Sequence, residues 1–188
     1  GKSLILTKLG QVLSLKEIKT GNMKVFKEEQ RFTQLWLIVV IIFSSIVPIF
    51  VVIKEYVNNE NNFSIGTLML IISMILLPLG IIFLFKLTTR IDEQGIHYQF
   101  FPFHLSFRKI GWNEISKAYA RTYDPIGEFG GWGIKFGLFG NKARGNAVNI
   151  SGDIGIQLEL KNGKKLLIGT QKEAEAKSVI QNYQNNIQ

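Results

Sequence analysis

Two long apolar runs without a charge restrict this chain more than any other feature of its sequence. The first covers residues 35–53 and the second residues 65–85. At a rise of ~1.5 Å per residue, a helix of the first length spans roughly 28 Å, about one hydrocarbon core. Neither run alternates with period two or carries a polar helical stripe, which disfavours the alternative of buried helices in a soluble core. Because residues 54–64 form a short polar link, the sequence predicts a transmembrane hairpin.

Lysine and arginine are concentrated outside these two runs. Residues 1–34 contain seven Lys or Arg and three Glu, and residues 88–188 contain thirteen Lys or Arg and nine Asp or Glu. The link between the runs carries no such excess. The positive-inside rule therefore predicts a multi-pass protein of the inner (plasma) membrane with both termini in the cytoplasm. The net charge of +8 suggests nucleic acid in other contexts, but here it flanks spans, so no nucleic-acid binding is expected.

Composition excludes several classes of site. The chain has 188 residues, and a hydrophobic fraction of 46% exceeds what one modest soluble core needs. It contains no cysteine, which excludes disulfides, thiolate metal sites and a cysteine nucleophile. A cleavable signal peptide is not expected, because the charged segment before Leu35 is too long for an n-region. Met23 begins an alternative start, so residues 1–22 carry no structural expectation.

Beyond the second run the pattern changes at once to short strands. Alternation and turn residues predict strands over 86–92, 96–101, 105–111 and 115–123. A glycine-dense segment, residues 125–153, predicts one or two further short strands with long loops. Residues 156–160 and 164–169 alternate on either side of Asn162-Gly163, which predicts a β-hairpin with a type I′ turn.

A C-terminal helix follows this hairpin. Thr170 and Glu173 have the spacing of a capping box. Five apolar residues then fall on one helical face: Ala176, Val179, Ile180, Tyr183 and Ile187. The predicted order along the chain is therefore about seven antiparallel strands followed by one amphipathic helix.

The runs RIDEQGIHYQFFPF, IGWNEISKAYARTYDP, GGWGIKFG and NISGDIGIQLELKNGKKLLIGTQKEAE resemble the PH-like (pleckstrin-homology-like) domain of small, uncharacterised bacterial membrane proteins. The resemblance covers about the last hundred residues, and such proteins also carry a preceding pair of transmembrane helices. It implies a membrane protein whose hairpin precedes a mainly β PH-like barrel of about seven antiparallel strands, capped by a C-terminal α-helix. The expected divisions are residues 1–34, a basic cytoplasmic segment, residues 35–87, the hairpin, and residues 88–188, the PH-like domain.

No catalytic, cofactor or metal site is predicted. The glycines of the 125–153 segment match neither a dinucleotide fingerprint nor a P-loop, and Ser151 lacks a nucleophile-elbow context. His97 and His104 are the two histidines, and a metal or proton-transfer role is weighed against an ordinary surface or half-buried imidazole. Aromatic residues 98–107 suggest a base-stacking platform, but in a small barrel they are more often core. No small-molecule substrate is evident.

Three functions follow from this picture. The leading expectation is a membrane-anchored, non-enzymatic module for assembly or partner recruitment at the cytoplasmic face, through self-association or an unknown protein partner. The alternatives are an accessory subunit of a membrane transporter or enzyme complex, and binding to an anionic lipid surface. The turn that in PH domains grips phosphoinositides is acidic here, so that role does not carry over. The residues predicted to contact anionic lipid, against the alternative that they only keep the surface soluble, are Arg90, Lys135, Lys142 and Arg144.

Overall fold

The computed structural model of the chain describes residues 25–58, 64–135 and 145–184. The two predicted apolar helices are confirmed as α1 (Leu35–Asn58) and α2 (Ile65–Ile81), and α2 continues into a 3₁₀ turn, Ile82–Leu84. Ser64 caps α2 by accepting a hydrogen bond from the backbone of Thr67. Both helices are long and apolar enough to cross a membrane, and neither contains a buried residue.

A strand that precedes the helices joins a sheet that follows them. Strand β1 (Phe26–Arg31) pairs antiparallel with β2 (Lys86–Asp92), and Arg31 lies directly opposite Lys86. The two helices are therefore an insertion between neighbouring strands. The sequence predicts a β domain that begins at residue 88, whereas the strands of this sheet begin at Phe26 and Lys86. Strand β1 was missed because only one of its three inward residues, Phe26, is apolar.

The other two inward residues of β1 are polar and bind the far side of the domain. The buried carboxylate of Glu28 accepts hydrogen bonds from the Thr170 hydroxyl at 2.6 Å and from the Gln171 backbone N–H at 2.7 Å. Gln30 Nε2 donates to the carbonyl of Gly169 at 2.9 Å. These bonds, here called the β1 clasp, fix the edge strand to the end of a strand more than a hundred residues later in the chain.

The first sheet has four antiparallel strands in the order β1-β2-β3-β4, with β3 at Gly95–Phe101 and β4 at Arg108–Gly111. The predicted third strand is three residues shorter at its start, because residues 105–107 belong to the loop between β3 and β4. Leu87, Ile91, Ile96 and Phe100 point inward from this sheet and are buried.

The second sheet has five strands in the order β5-β8-β9-β7-β6. They are β5 (Ile115–Thr122), β6 (Gly133–Lys135), β7 (Asn146–Asn149), β8 (Ile154–Leu160) and β9 (Lys165–Gly169). β7 and β9 are parallel, because the chain crosses β9 to reach β8. A short helix, α3 (Pro125–Phe129), connects β5 to β6. The described residues thus form nine strands in two sheets that do not close into a barrel, instead of a barrel of about seven antiparallel strands.

The predicted C-terminal helix is confirmed as α4 (Glu173–Gln184), and Ile187 lies outside the described residues. Its buried face is the predicted one: Ala176, Val179, Ile180 and Tyr183. The Tyr183 ring stacks on Trp112 with centroids 5.5 Å apart, and Trp112 Nε1 donates to the carbonyl of Asp92. The expected capping box is replaced, since Thr170 donates to Glu28 and accepts from Lys172 N.

The β8–β9 hairpin is confirmed, but its turn is different from the predicted type I′. Gly163 N donates to the carbonyl of Leu160 at 2.9 Å, which makes Lys161 and Asn162 the central residues of the turn. Gly163 follows them with φ of 79°. A turn followed by a left-handed glycine is the usual three-residue hairpin loop.

Replacing Gly163 with Val is expected to lower the stability of the full chain by about 1–2 kcal/mol, since L-residues resist the left-handed region. No atom lies within 4 Å of the added Cβ, so the cost is in the backbone alone. The matched control is Gly163→Asn, because asparagine tolerates this conformation. Thermal unfolding in detergent, followed by circular dichroism, should place Asn near wild type and Val below it. Equal midpoints for all three proteins would contradict the assigned turn.

Candidate functional site

The register of the first sheet aligns four basic side chains across it. Lys27 lies opposite Arg90, Arg90 opposite His97, and His97 opposite Lys109. Directly opposite residues share one face of a sheet, and a sequence neighbour of each one points the other way and is buried: Phe26, Thr89, Ile96 and Ile110. The four basic residues, here called the basic row, therefore lie on the outer face, one on each strand.

One carboxylate organises the middle of the basic row. Asp92 pairs with Arg90 Nε at 3.0 Å and with His97 Nε2 at 3.1 Å. Burial raises the pKa of Asp92, but the hydrogen bond from Gln94 N–H and the pairing with His97 and Arg90 outweigh it, so the pKa lies below its ordinary value. The sequence suggests no carboxylate partner for His97, and the β2–β3 hairpin supplies one. With Lys27 and Lys109 included, the row keeps a positive excess.

A groove of about 340 Å³ runs beside the basic row. Its lining consists of Val25, Lys27, Thr88, Arg90, His97 and Phe107. Val25 and Phe107 are about half exposed, at 53% and 48%. The groove therefore offers cations for an anionic group together with apolar surface for a neighbouring side chain.

A second cavity lies where the helices meet the β domain. This junction pocket has a volume of about 450 Å³, and five aromatic side chains line it: Phe32, Phe85, Phe100, Phe103 and Trp132. Phe85 is the residue between the helical segment and β2, and its ring centroid lies 5.6 Å from that of Phe103 and 5.9 Å from that of Phe100. The rings thus join the end of the second helical segment directly to the β3–β4 loop.

Gly133 and Ile134 also line the junction pocket, and the polar side chains of His104 and Arg108 complete it. His104 is buried, and its Nδ1 accepts a hydrogen bond from Phe100 N at 3.3 Å. Burial lowers the pKa of His104, and the nearby Arg108 charge lowers it further, so the imidazole is neutral at physiological pH. Arg108 is exposed and brings a permanent positive charge to an otherwise apolar lining.

The loop between β3 and β4 exposes large apolar side chains beside this pocket. Phe103 is 65% exposed and Leu105 is 82% exposed. Phe101 is directly opposite Lys86, so the loop begins at the end of the sheet from which the helices emerge. The rings of Trp36 in α1 and Trp132 before β6 are 5.8 Å apart. Exposed aromatic and aliphatic groups of this kind mark a contact surface.

Arg90 and Lys135, two of the four residues predicted to contact lipid, lie in different sheets. Arg90 lies four residues along β2 from Lys86, or about 13 Å at a rise of ~3.3 Å per residue. Lys135 lies on β6 in the other sheet, where its Nζ donates to the Gly130 carbonyl at 3.4 Å. Lys142 and Arg144 lie outside the described residues. Their lipid contact stays a prediction.

The cations at the junction between the helices and the β domain, Arg31 and Lys86, were not among the predicted lipid contacts. Arg31 and Lys86 face each other where α1 begins and α2 has ended, and both pair with Glu29, at 2.9 and 3.3 Å. The alternation of Lys27, Glu29 and Arg31 was the available signal for a strand with one charged face. Arg108 had no such signal, because its place in the pocket depends on the β3–β4 loop.

Among the described residues there is no group of three or more His, Asp or Glu side chains that could hold a metal ion. Comparison with protein-family models, with curated proteins and with solved structures found no match to this chain. The geometry of the basic row and the junction pocket therefore carries the functional argument.

Proposed function

We propose that this chain is a membrane-anchored, non-enzymatic, PH-like module that recruits a protein partner at the cytoplasmic face of the plasma membrane. α1 and α2 form the anchor. Residues 32–34 link β1 to the first helix, and Phe85 alone links the helical segment to β2. Links this short hold the β domain against the bilayer, so any partner that binds it is brought to the membrane surface.

The PH-like assignment is supported by the order of the layers. A four-stranded antiparallel sheet is followed by a second sheet, and a C-terminal helix packs on both of them. The inserted hairpin between β1 and β2 and the parallel β7–β9 pair are departures from the pattern that the resemblance implies. The insertion makes β1 an additional edge strand of the first sheet, and the β7–β9 pair changes the strand pairing in the second sheet. The two sheets and the C-terminal helix keep their order.

The observation that carries the recruitment proposal is the basic row. Lys27 and Arg90 are exposed on the adjacent strands β1 and β2, Lys109 is exposed on β4, and the half-buried His97 on β3 lies between Arg90 and Lys109. A row of positive charges attracts a negatively charged surface and raises the rate at which that surface associates. The partner that fits is an acidic segment with an apolar side chain for the groove between Val25 and Phe107.

Site-specific photo-cross-linking of the full chain in its native membrane tests this function. A photoreactive phenylalanine analogue at Val25, in the groove, is expected to capture a protein with an acidic segment. The charge reversals Lys27→Glu and Lys109→Glu together should reduce this adduct several-fold, because they replace attraction by repulsion. The matched control is the pair Lys117→Glu and Lys164→Glu, two exposed lysines of the second sheet region.

Two results would contradict the proposal. The first is an adduct at Val25 that is equally strong in wild type and in the basic-row double variant. The second is capture from a probe at Val51 in α1 with none at Val25, which would favour an accessory subunit that assembles through its helices.

A further inference from the structure

We propose that the junction pocket binds one phospholipid of the leaflet in which the helices end, with an acyl chain among the aromatic rings and an anionic headgroup at Arg108. The inference rests on the membrane anchoring proposed above, and it concerns a site distinct from the basic row. The occupant is a lipid of the surrounding bilayer, so the site has its ligand wherever the protein is inserted.

The lining of the pocket suits an acyl chain. Its volume of about 450 Å³ lies within the range of ~300–1,000 Å³ found for small-molecule sites, which are mostly apolar with a few placed polar groups. Phe32 and Phe85 contribute from the links to the two helices, and Phe100 from the inner face of β3. The pocket is therefore built from the segments closest to the bilayer.

The polar groups of the pocket select for one sign of charge. Arg108 is exposed, and no described carboxylate forms an ion pair with it. His104 is buried and accepts a hydrogen bond through Nδ1, so its ring is fixed against the pocket wall. A guanidinium presents several N–H donors in a planar fork that matches phosphate oxygens. Arg108 thus offers an anionic headgroup an unneutralised partner beside an apolar cavity.

The β3–β4 loop indicates that a bilayer covers this end of the domain. Leu105 and Phe103 are its most exposed apolar side chains, and Phe103 also lines the pocket. Transfer of such side chains from water to apolar surroundings is favourable. The loop is continuous with the apolar end of the helical segment through the Phe85–Phe103 contact. The same leaflet therefore covers the loop and supplies the acyl chain that enters the pocket.

Photolabelling in nanodiscs tests the proposal with the full chain. The nanodiscs consist of phosphatidylcholine, and each preparation contains one photoreactive probe lipid. The probe is either phosphatidylcholine or phosphatidylglycerol with a diazirine in one acyl chain. Mass spectrometry of the labelled peptides should find labels on Phe100, Phe103 or Ile134. Labelling there should be about fivefold stronger with the anionic probe, which corresponds to the ~1 kcal/mol expected for one cation facing anionic lipid.

Two variants and a control separate the headgroup contact from the acyl-chain contact. Arg108→Gln should remove the preference for phosphatidylglycerol, while pocket labelling by phosphatidylcholine persists. Ile134→Trp should fill the cavity and reduce pocket labelling by both probes. The control is Lys117→Gln, since Lys117 is an exposed residue of β5 in the other sheet and lies in neither site; it should leave the labelling pattern unchanged.

Labels confined to α1 and α2, with none in the pocket, would overturn the inference and leave the anchoring intact. Equal pocket labelling by both probes, unchanged by Arg108→Gln, would overturn the role of Arg108. A probe adduct that joins Phe103 to a second protein chain would identify a protein surface in place of a lipid site. Failure of the chain to enter nanodiscs would refute the proposed anchoring, and with it the lipid site.

Discussion

Replacing residues 35–84 with a short Gly-Ser linker is expected to give a water-soluble, folded β domain. The helices are an insertion between adjacent antiparallel strands, so their removal leaves every strand pair intact. Phe32 and Phe85 remain in this protein, with ring centroids 6.2 Å apart in the parent chain. Because Arg31 is paired with Lys86 across the sheet, a short flexible linker is enough to join the two ends. Dispersed amide resonances and a cooperative thermal transition would show the fold.

The matched comparison is a chain that begins at residue 86 and lacks β1. It loses the fully buried Phe26, and burial of such a side chain is worth about 3–5 kcal/mol. It also loses the β1 clasp, which includes two hydrogen bonds to a carboxylate, worth roughly 1.5–3 kcal/mol each. Against a total stability of about 5–15 kcal/mol, the shorter chain should aggregate or stay unfolded. A shorter chain as stable as the linker protein would refute the place of β1 in the fold.

Replacing Glu28 with Leu is expected to destabilise the full chain by roughly 3–5 kcal/mol, because it leaves the Thr170 hydroxyl and the Gln171 N–H without their acceptor. Both acceptor contacts are short, at 2.6 and 2.7 Å. Chemical unfolding in detergent, followed by tryptophan fluorescence, measures the loss.

The control for this variant is the next residue of the same strand. Glu29 points outward, is 43% exposed and pairs with Arg31 and Lys86. Exposed ion pairs contribute about 0–1 kcal/mol, so Glu29→Leu should change the free energy of unfolding by that amount at most. Similar losses for the two variants would mean that the clasp does not hold β1.

The sequence predicts the elements whose signals are local. The apolar helices, the β8–β9 hairpin and the buried face of α4 follow from uncharged length, period-two alternation and helical period. The parallel β7–β9 pair and the openness of the two sheets depend on contacts between distant segments, which no local pattern encodes. The predicted turn type was wrong, because the sequence Asn162-Gly163 is compatible both with a type I′ turn and with a turn followed by a left-handed glycine.

The candidate site was less predictable than the fold. Arg90 was identified from its position near the second apolar run, but its neighbours in the basic row come from three other strands. Only the register of the sheet shows that Lys27 and Lys109 align with it. The junction pocket likewise combines residues from separate parts of the chain, and its aromatic side chains resemble ordinary core residues in the sequence.

The position of the helices between β1 and β2 has a consequence for biosynthesis. During translation β1 leaves the ribosome first, and its partner β2 follows only after both helices have been made. Until then Phe26 has no neighbouring strand to pack beside, and the partners of Glu28, Thr170 and Gln171, are made later still. If α1 and α2 enter the bilayer as a pair, their association brings the two ends together and removes most of the entropic cost of closing that long loop. Under the membrane anchoring proposed above, insertion of the helices therefore precedes and promotes completion of the β domain.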